Sequence, residues 1–110
     1  KKELLEKIYK DNKSCEYLHE GDIDIYGFLI LENLKERTGI PFKSLLMDIN
    51  TLKRFYEAGI YKELNISDIR MIEKNRENLK EYSEVFDFML LNNCKVEQES
   101  LRAVRLLEDS

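Results

Sequence analysis

The sequence predicts an all-α fold, a single-domain bundle of five to six helices, and three observations support this prediction. The chain has 110 residues, enough for one hydrophobic core without disulfides or metals. Apolar residues recur at three- and four-residue steps over most of its length, which is the spacing of one helical face. Residues 66–92 show this spacing and contain no glycine or proline. We predict that residues 1–110 form one helical domain, with residues 95–110 as a C-terminal helix that packs on the bundle or extends from it.

The first two helices are predicted for residues 2–12, with Ile8 facing inward, and for residues 23–37. Residues 13–21 either continue the first helix or form a turn. The second segment opens with DIDIY, which alternates as a strand does, but LENLKERTG favours a helix. No partner strand is evident in the sequence, and a lone strand cannot satisfy its backbone hydrogen bonds. Gly27 inside this helix indicates close packing or a bend, because glycine lowers helix stability by about 1 kcal/mol relative to alanine.

The third helix is predicted to begin at Pro41, since proline is tolerated at a first helical position, and to end at Gly59. Residues 66–92 form either one long helix or two shorter ones, because Asn75 and Arg76 interrupt the apolar face. The predicted core consists of apolar side chains from these helices: Ile8, Ile30, Leu34, Leu45, Ile49, Leu52, Ile69, Ile72, Leu79, Phe86, Met89 and Val104.

Composition narrows the class of protein. The net charge is −4 and 36% of the residues are charged, which indicates solvated helix faces. The acidic balance disfavours broad nucleic-acid affinity, although a local basic patch stays open. The longest apolar run, IYGFLIL, is far shorter than the roughly 20 residues of a membrane span, and no signal peptide is visible. We therefore predict a cytoplasmic, intracellular protein without membrane contact, in which Cys15 and Cys94 are small buried side chains.

Residues with catalytic or metal-binding chemistry form no recognisable constellation. His19 follows Cys15 by four residues, but a structural zinc site needs four ligands, and a surface histidine explains the position more simply. The four glycines are scattered and make no phosphate-binding loop. Paired carboxylates are too common in so acidic a sequence to carry a signal. The sequence predicts no catalysis, no metal and no cofactor.

One segment, LKERTGIPFKSLLMDI at residues 34–49, resembles the helix-turn-helix of bacterial and phage repressors. The resemblance implies that the second helix of this motif is a recognition helix and that Lys43 and Ser44 face DNA. Two positions depart from the pattern. Lys35 stands where a small residue is expected, and Asp48 stands where an apolar one is expected.

A longer stretch resembles the death-effector branch of the death-fold superfamily, whose six-helix bundles join like to like in signalling assemblies. The resemblance rests on three segments. LHEGDIDIYGFLIL is similar to the second-helix region of that family, and LKRFYEAGIYKELNISDI at residues 52–69 is similar to its fourth helix, connecting turn and fifth helix. RENL is similar to its Arg-x-Asp-Leu motif. It implies that Asp22, Arg76 and Asn78 form a polar triad that orients two helices. It also implies that Phe28 and Leu29 lie beside a docking patch. Asn78 replaces the aspartate of the family, and a neutral amide cannot form its ionic contact with arginine.

The predicted function is a non-catalytic protein–protein interaction or regulatory module, an adaptor whose partner is another protein or a second copy of itself. Two alternatives remain open at this stage. One is a small, dimeric helix-turn-helix regulator that binds DNA. The other is an inhibitor or antitoxin-like protein that caps a partner enzyme, which the acidic surface fits equally well.

Overall fold

The secondary structure is mostly helical, with a small two-stranded sheet inserted between the helices. The computed structural model describes residues 2–11 and 17–97. The elements of these residues, in chain order, are α1 (Lys2–Asp11), β1 (Leu18–Glu20), α2 (Ile25–Thr38), β2 (Lys43–Leu45), α3 (Ile49–Glu57), α4 (Ile66–Asn75), a 3-10 helix (Lys80–Tyr82) and α5 (Ser83–Asn92). The predicted helical character is confirmed, and the prediction of a purely α-helical fold is wrong.

The two strands pair in parallel, which the sequence analysis did not foresee. Leu18 lies opposite Lys43, and Glu20 lies opposite Leu45. The N–H of Lys43 donates a hydrogen bond of 2.9 Å to the carbonyl of Tyr17. Parallel strands require a crossover connection, and α2 supplies it, so that β1, α2 and β2 form a β-α-β unit. The carboxyl ends of both strands consequently lie at one edge of the sheet.

This strand pairing overturns the helix-turn-helix interpretation. The third helix begins at Ile49 instead of Pro41, because the backbone of residues 43–45 pairs with β1 and forms no helical turn. Lys43 and Ser44 are exposed on β2, and residues 43–45 of the segment that was predicted as a recognition helix form a strand. The described residues therefore contain no second helix of the kind the motif needs.

The ends of the helices follow from local sequence. α2 ends at Gly39, which has φ +71° and whose N–H donates to the carbonyl of Lys35. α4 begins with a capping box in which Asn65 and Asp68 each accept a hydrogen bond from the backbone N–H of the other. Residues 66–92 form two helices, because α4 ends at Asn75 and a turn and a 3-10 helix separate it from α5.

The core lies between α2, α3, α4 and α5. The structure confirms the following members of the predicted core as buried: Leu52, Ile72, Leu79, Phe86 and Met89. Ile49 packs against this core and is partly buried. Three predicted members are exposed, Ile8, Ile30 and Ile69. The side chain of Leu45 and the whole of Val104 lie outside the described part of the structure, and Leu34 is half-buried.

Ile30 was predicted to be buried and is exposed, because the first half of α2, IYGFLIL, is apolar nearly all round. Its buried positions are Ile25, Gly27, Phe28 and Leu31, which leaves Ile30 58% exposed on the opposite side. A run of apolar residues without polar positions has no amphipathic pattern, so the sequence cannot show which side of the helix faces the core.

The segment after α5 returns to the start of α2. Val96 forms an isolated antiparallel bridge with Ile23, and Lys95 forms one with Lys62. The predicted helix of residues 95–110 is therefore wrong for residues 95–97, which are not helical, and residues 98–110 lie outside the described part. No helix within residues 2–11 and 17–97 combines the length and the apolarity that crossing a bilayer requires.

Candidate functional site

An acidic turn, residues 21–24 with the sequence Gly-Asp-Ile-Asp, connects the carboxyl end of β1 to the start of α2. It carries two carboxylates, Asp22 and Asp24, separated by one residue. In open parallel sheets, ligands bind in the crevice outside the carboxyl ends of the strands. The acidic turn occupies this position in the β-α-β unit.

Asp24 is the N-cap residue of α2. Its backbone is extended, with φ −149° and ψ 172°, and its Oδ1 accepts a hydrogen bond of 2.7 Å from the N–H of Gly27. Asp24 is 9% exposed. The cap therefore fixes the direction of a carboxylate that lies at the margin of the core.

Gly27 lets the acidic turn fold tightly against α2. A Cβ at this position would lie 2.1 Å from the carbonyl oxygen of Asp22 and 3.1 Å from its carbonyl carbon. Real Cβ atoms do not approach backbone atoms so closely, so any other residue would displace the turn. The close packing that the sequence predicted at Gly27 is present, and it holds the backbone of Asp22.

The electrostatic surroundings of Asp24 oppose its negative charge. Burial raises the pKa of Asp24 above its ordinary range, and the charges of Asp22 and Asp68 raise it further. The hydrogen bond from Gly27 and the positive charge of Lys95 lower the pKa and offset part of this effect. Buried carboxylates with raised pKa values that lie close to like charges are typical of functional sites.

Asp68 and Lys95 form a buried ion pair beside the acidic turn. The Nζ of Lys95 lies 2.7 Å from Oδ2 of Asp68, and the side chains of Lys95 and Asp68 are 17% and 1% exposed. The same Oδ2 accepts a hydrogen bond of 2.9 Å from the N–H of Asn65. Oδ1 of Asp68 is buried and has no hydrogen-bond partner among the described residues. Lys95 thus neutralises a carboxylate that water cannot solvate.

The oxygen atoms of the acidic turn suit a hard divalent cation. Within residues 2–11 and 17–97, no three or more His, Cys, Asp and Glu side chains surround one metal position. Mg²⁺, however, is commonly held by only one or two carboxylates, and water molecules and substrate phosphates complete its shell. Asp22 and Asp24 supply carboxylates of this kind, and Gly27 fixes the backbone between them, so the residues present fit such an ion.

The predicted polar triad is not assembled. The guanidinium of Arg76 pairs with Asp87, and Arg76 itself caps the end of α4. Asn78 is exposed in the turn that follows α4. Asp22 lies in the acidic turn, so of the three residues only Asp22 belongs to the candidate site.

The predicted docking residues Phe28 and Leu29 do not form an exposed patch. Phe28 is fully buried, and its ring centroid lies 4.5 Å from that of Tyr82 and 5.6 Å from that of Phe86. Leu29 is partly buried against the core. Phe28 is therefore unable to anchor a partner at the surface, because its side chain already fills the interior.

Neither His19 nor Cys94 is one of residues 21–24, although the His19 side chain lies beside the acidic turn, where its Nε2 would be 3.1 Å from a Cβ at Gly21. His19 lies half-buried on β1, and burial lowers its pKa. Cys94 is buried as predicted, and burial raises the pKa of its thiol to about 11. Cys15 lies outside the described residues.

Sequence reasoning missed Asp24, Asp68 and Lys95 as site residues. A signal for Asp24 was present, because the alternating segment DIDIY follows a glycine and its last two residues begin the helix that contains Gly27. Treating DIDIY as the start of the helix hid the strand-to-helix turn. No local signal could have found Asp68 and Lys95, since only the tertiary fold brings them to the turn.

The comparisons with known proteins place the chain in a family. A family model described as "Wadjet protein JetD, C-terminal" matches residues 3–109, nearly the whole sequence. The chain belongs to the JetD C-terminal family. JetD is a component of the bacterial Wadjet anti-plasmid system. No curated protein and no solved structure gives a significant match.

The JetD assignment corrects the death-effector resemblance, which is wrong. Its motifs were degenerate, and LHEGDIDIYGFLIL forms β1, the acidic turn and the beginning of α2 instead of one helical region. The break between α4 and α5 is present, but a polar interruption of a helix occurs in many folds and does not identify the death fold.

Proposed function

We propose that this JetD C-terminal domain holds a divalent cation on Asp22 and Asp24 and presents it to a phosphodiester of plasmid DNA for cleavage. The observation that carries the proposal is the position of these two carboxylates at the carboxyl end of β1, held against α2 by Gly27. The anti-plasmid role of JetD supplies the substrate class, because a plasmid is eliminated through its DNA.

A cation also explains how an acidic domain would approach DNA. The net charge of −4 disfavours direct contact with phosphates. A divalent ion between the carboxylates and a phosphate would reverse this repulsion locally. Such an ion, when bound, polarises a phosphoryl oxygen and lowers the pKa of a coordinated water. The chain's own contribution is the fixed pair of carboxylates, one of them shielded from solvent, and the helix start at which Asp24 is held.

The binding step is tested by titrating the ¹⁵N-labelled chain with Mg²⁺ and following its backbone amide signals by NMR. We expect saturable shifts centred on residues 21–24 that weaken at least tenfold in the double variant Asp22→Asn, Asp24→Asn. Asparagine keeps the shape and the capping ability of aspartate and removes its charge. The matched control is Glu36→Gln, which removes one exposed charge elsewhere on α2 and should leave the affinity unchanged.

The functional step is tested by plasmid retention in a bacterium that expresses the Wadjet components with this domain. The double variant should accumulate to the wild-type level and fail to eliminate plasmids, whereas Glu36→Gln should eliminate them normally. Undiminished plasmid elimination by the double variant would overturn the proposed function.

A second candidate is the non-catalytic interaction module that the sequence predicted. JetD works within a multiprotein complex, so protein partners are plausible for its domains. Four large apolar side chains are exposed on α2 and α4, and we name them the α2–α4 surface: Tyr26, Ile30, Ile66 and Ile69. The two helices contact each other, and the hydroxyls of Tyr26 and Ser67 are hydrogen bonded. A contiguous exposed apolar patch is a feature of interaction sites, and the contact between the two helices supports one here.

A charge introduced by mutation on the α2–α4 surface distinguishes the two candidate functions. Ile66→Glu, at a position that is 68% exposed, should leave Mg²⁺ binding unchanged and reduce recovery of the other Wadjet components in affinity purification. Leu91→Glu, at a position that is 85% exposed on α5, is the matched control. Normal recovery of partners with Ile66→Glu would exclude this surface as their contact. The inhibitor-type alternative gains no specific support from the described residues.

A further inference from the structure

The Asp68–Lys95 ion pair is joined to the acidic turn through the backbone. Val96, the residue after Lys95, exchanges two hydrogen bonds with Ile23, of 2.8 and 3.2 Å. Ile23 is the residue between the two aspartates of the turn, and it is fully buried. The position of Lys95 is thus fixed relative to both carboxylates.

Asp68 and Lys95 hold each other in place. Lys95 is further fixed by two backbone hydrogen bonds of 2.8 Å with Lys62. Asp68 is fixed by its capping box with Asn65 at the start of α4. Because the lysine side chain is long and has many rotamers, the 2.7 Å contact with Asp68 restrains the position of its ammonium group.

The charges of the pair act on Asp24 with opposite signs. Asp68 is a like charge for Asp24, and Lys95 is an opposite charge. A cation held by the acidic turn would likewise experience two effects of opposite sign. Removing one partner would leave the charge of the other uncompensated. Solvent and salt would screen that charge only partly, because both side chains are largely buried.

We propose that Asp68 and Lys95 form a charge-balanced pair beside the acidic turn, in which each charge offsets the effect of the other on the affinity of the turn for a divalent cation. The ion pair places one positive and one negative charge beside Asp24, in a geometry fixed by α4 and by the bridge from Val96 to Ile23. This inference rests on the proposed function, because it concerns the same cation.

The test uses Mg²⁺ titration of the ¹⁵N-labelled chain with single and double variants of the pair. Asp68→Asn leaves the lysine charge unopposed and should weaken Mg²⁺ binding about fivefold at low ionic strength. Lys95→Met leaves the carboxylate unopposed and should strengthen binding by a similar factor. Lys95→Arg, which keeps the charge, should bind as the wild type does.

The double variant Asp68→Asn, Lys95→Met removes both charges and should return the affinity to within about twofold of the wild-type value. Removing one partner of a buried pair is strongly destabilising, so Lys95→Met alone is at risk of not folding. The double variant still allows a comparison if this happens. In that case the comparison of Asp68→Asn with the double variant decides.

A purely structural role would give a different pattern. If the pair only stabilises the turn, Asp68→Asn, Lys95→Met and the double variant would all weaken binding, and this result would overturn the inference. Equal affinity in all variants would also overturn it. Failure of the proposed function is seen separately, as Mg²⁺ binding that survives in the double variant of Asp22 and Asp24.

Discussion

The close contact at Gly27 gives the sharpest prediction about the acidic turn. In Gly27→Ala, the new Cβ would lie 2.1 Å from the carbonyl oxygen of Asp22, more than 1 Å inside an ordinary contact. The obstacle is backbone that is held on both sides. Ile23 is bonded to Val96, and Asp24 is bonded to the N–H of Gly27 itself. The clash therefore has to be relieved by moving the whole turn.

The magnitude follows from the bonds that this movement breaks. Loss of the Asp24 cap costs about 1 kcal/mol, and loss of the two hydrogen bonds between Ile23 and Val96 costs about 1 kcal/mol each. Alanine returns about 1 kcal/mol of helix propensity. The net loss of unfolding free energy is about 2 kcal/mol, which lowers Tm by roughly 8–16 °C in a domain of this size.

Thermal unfolding followed by circular dichroism at 222 nm measures this effect, and Mg²⁺ titration of the same variant should show weakened binding. Gly59→Ala is the matched control. Gly59 has φ +77°, and a Cβ added to it would meet no other atom within 4 Å, so its variant carries only the left-handed strain of about 1 kcal/mol. A Gly27→Ala protein with a Tm equal to or above the wild-type value would refute the tight packing of the acidic turn.

Three further predictions concern stability and reactivity. Asp24→Asn should raise Tm at neutral pH, because the raised pKa of Asp24 means that its ionised form is disfavoured in the folded state. The difference in Tm between variant and wild type should vanish as the pH falls through that pKa and the wild type becomes protonated. A difference in Tm that persists in acid would contradict this prediction. Phe28→Ala should lower the free energy of unfolding in urea by about 3–5 kcal/mol because Phe28 is fully buried, whereas Leu91→Ala at an exposed position should change it by less than about 0.5 kcal/mol. In a Cys15→Ser variant, Cys94 should resist alkylation by iodoacetamide at pH 8 until urea unfolds the chain. Burial raises the pKa of Cys94 to about 11, and only the thiolate reacts. Rapid alkylation of the folded protein would show that the thiol is accessible.

The helices of this fold were predictable because their signals are local. The first helix is confirmed within one residue at its C-terminal end, and Gly39 and Gly59 lie just beyond the ends of α2 and α3. The break between the helices after Asn75 was also predictable, because polar residues interrupt an otherwise apolar helical face there. The strands were not predictable, because each has three residues, too few for an alternating pattern, and their partner lies across a helix.

The candidate site was predictable only in part. Asp22 was predicted to be a functional residue, but as a member of a polar triad that the fold does not form. The role of Asp24 as a cap and the approach of Gly27 depend on the turn after β1, which was invisible without the strand. Whether the chain acts catalytically, where it resides in the cell, and whether it forms one domain stay predictions.

The bridge between Ile23 and Val96 joins an early part of the chain to a late one, with consequences for the order of folding. The β-α-β unit contains its own pairing and can form from contacts within the first half of the sequence. The bridge and the neighbouring Lys95 contact cannot form until the ribosome has released the segment after α5. A chain that is still being synthesised would therefore carry the two aspartates without their final restraint. This order places the last backbone restraint on the acidic turn after the synthesis of all the described helices.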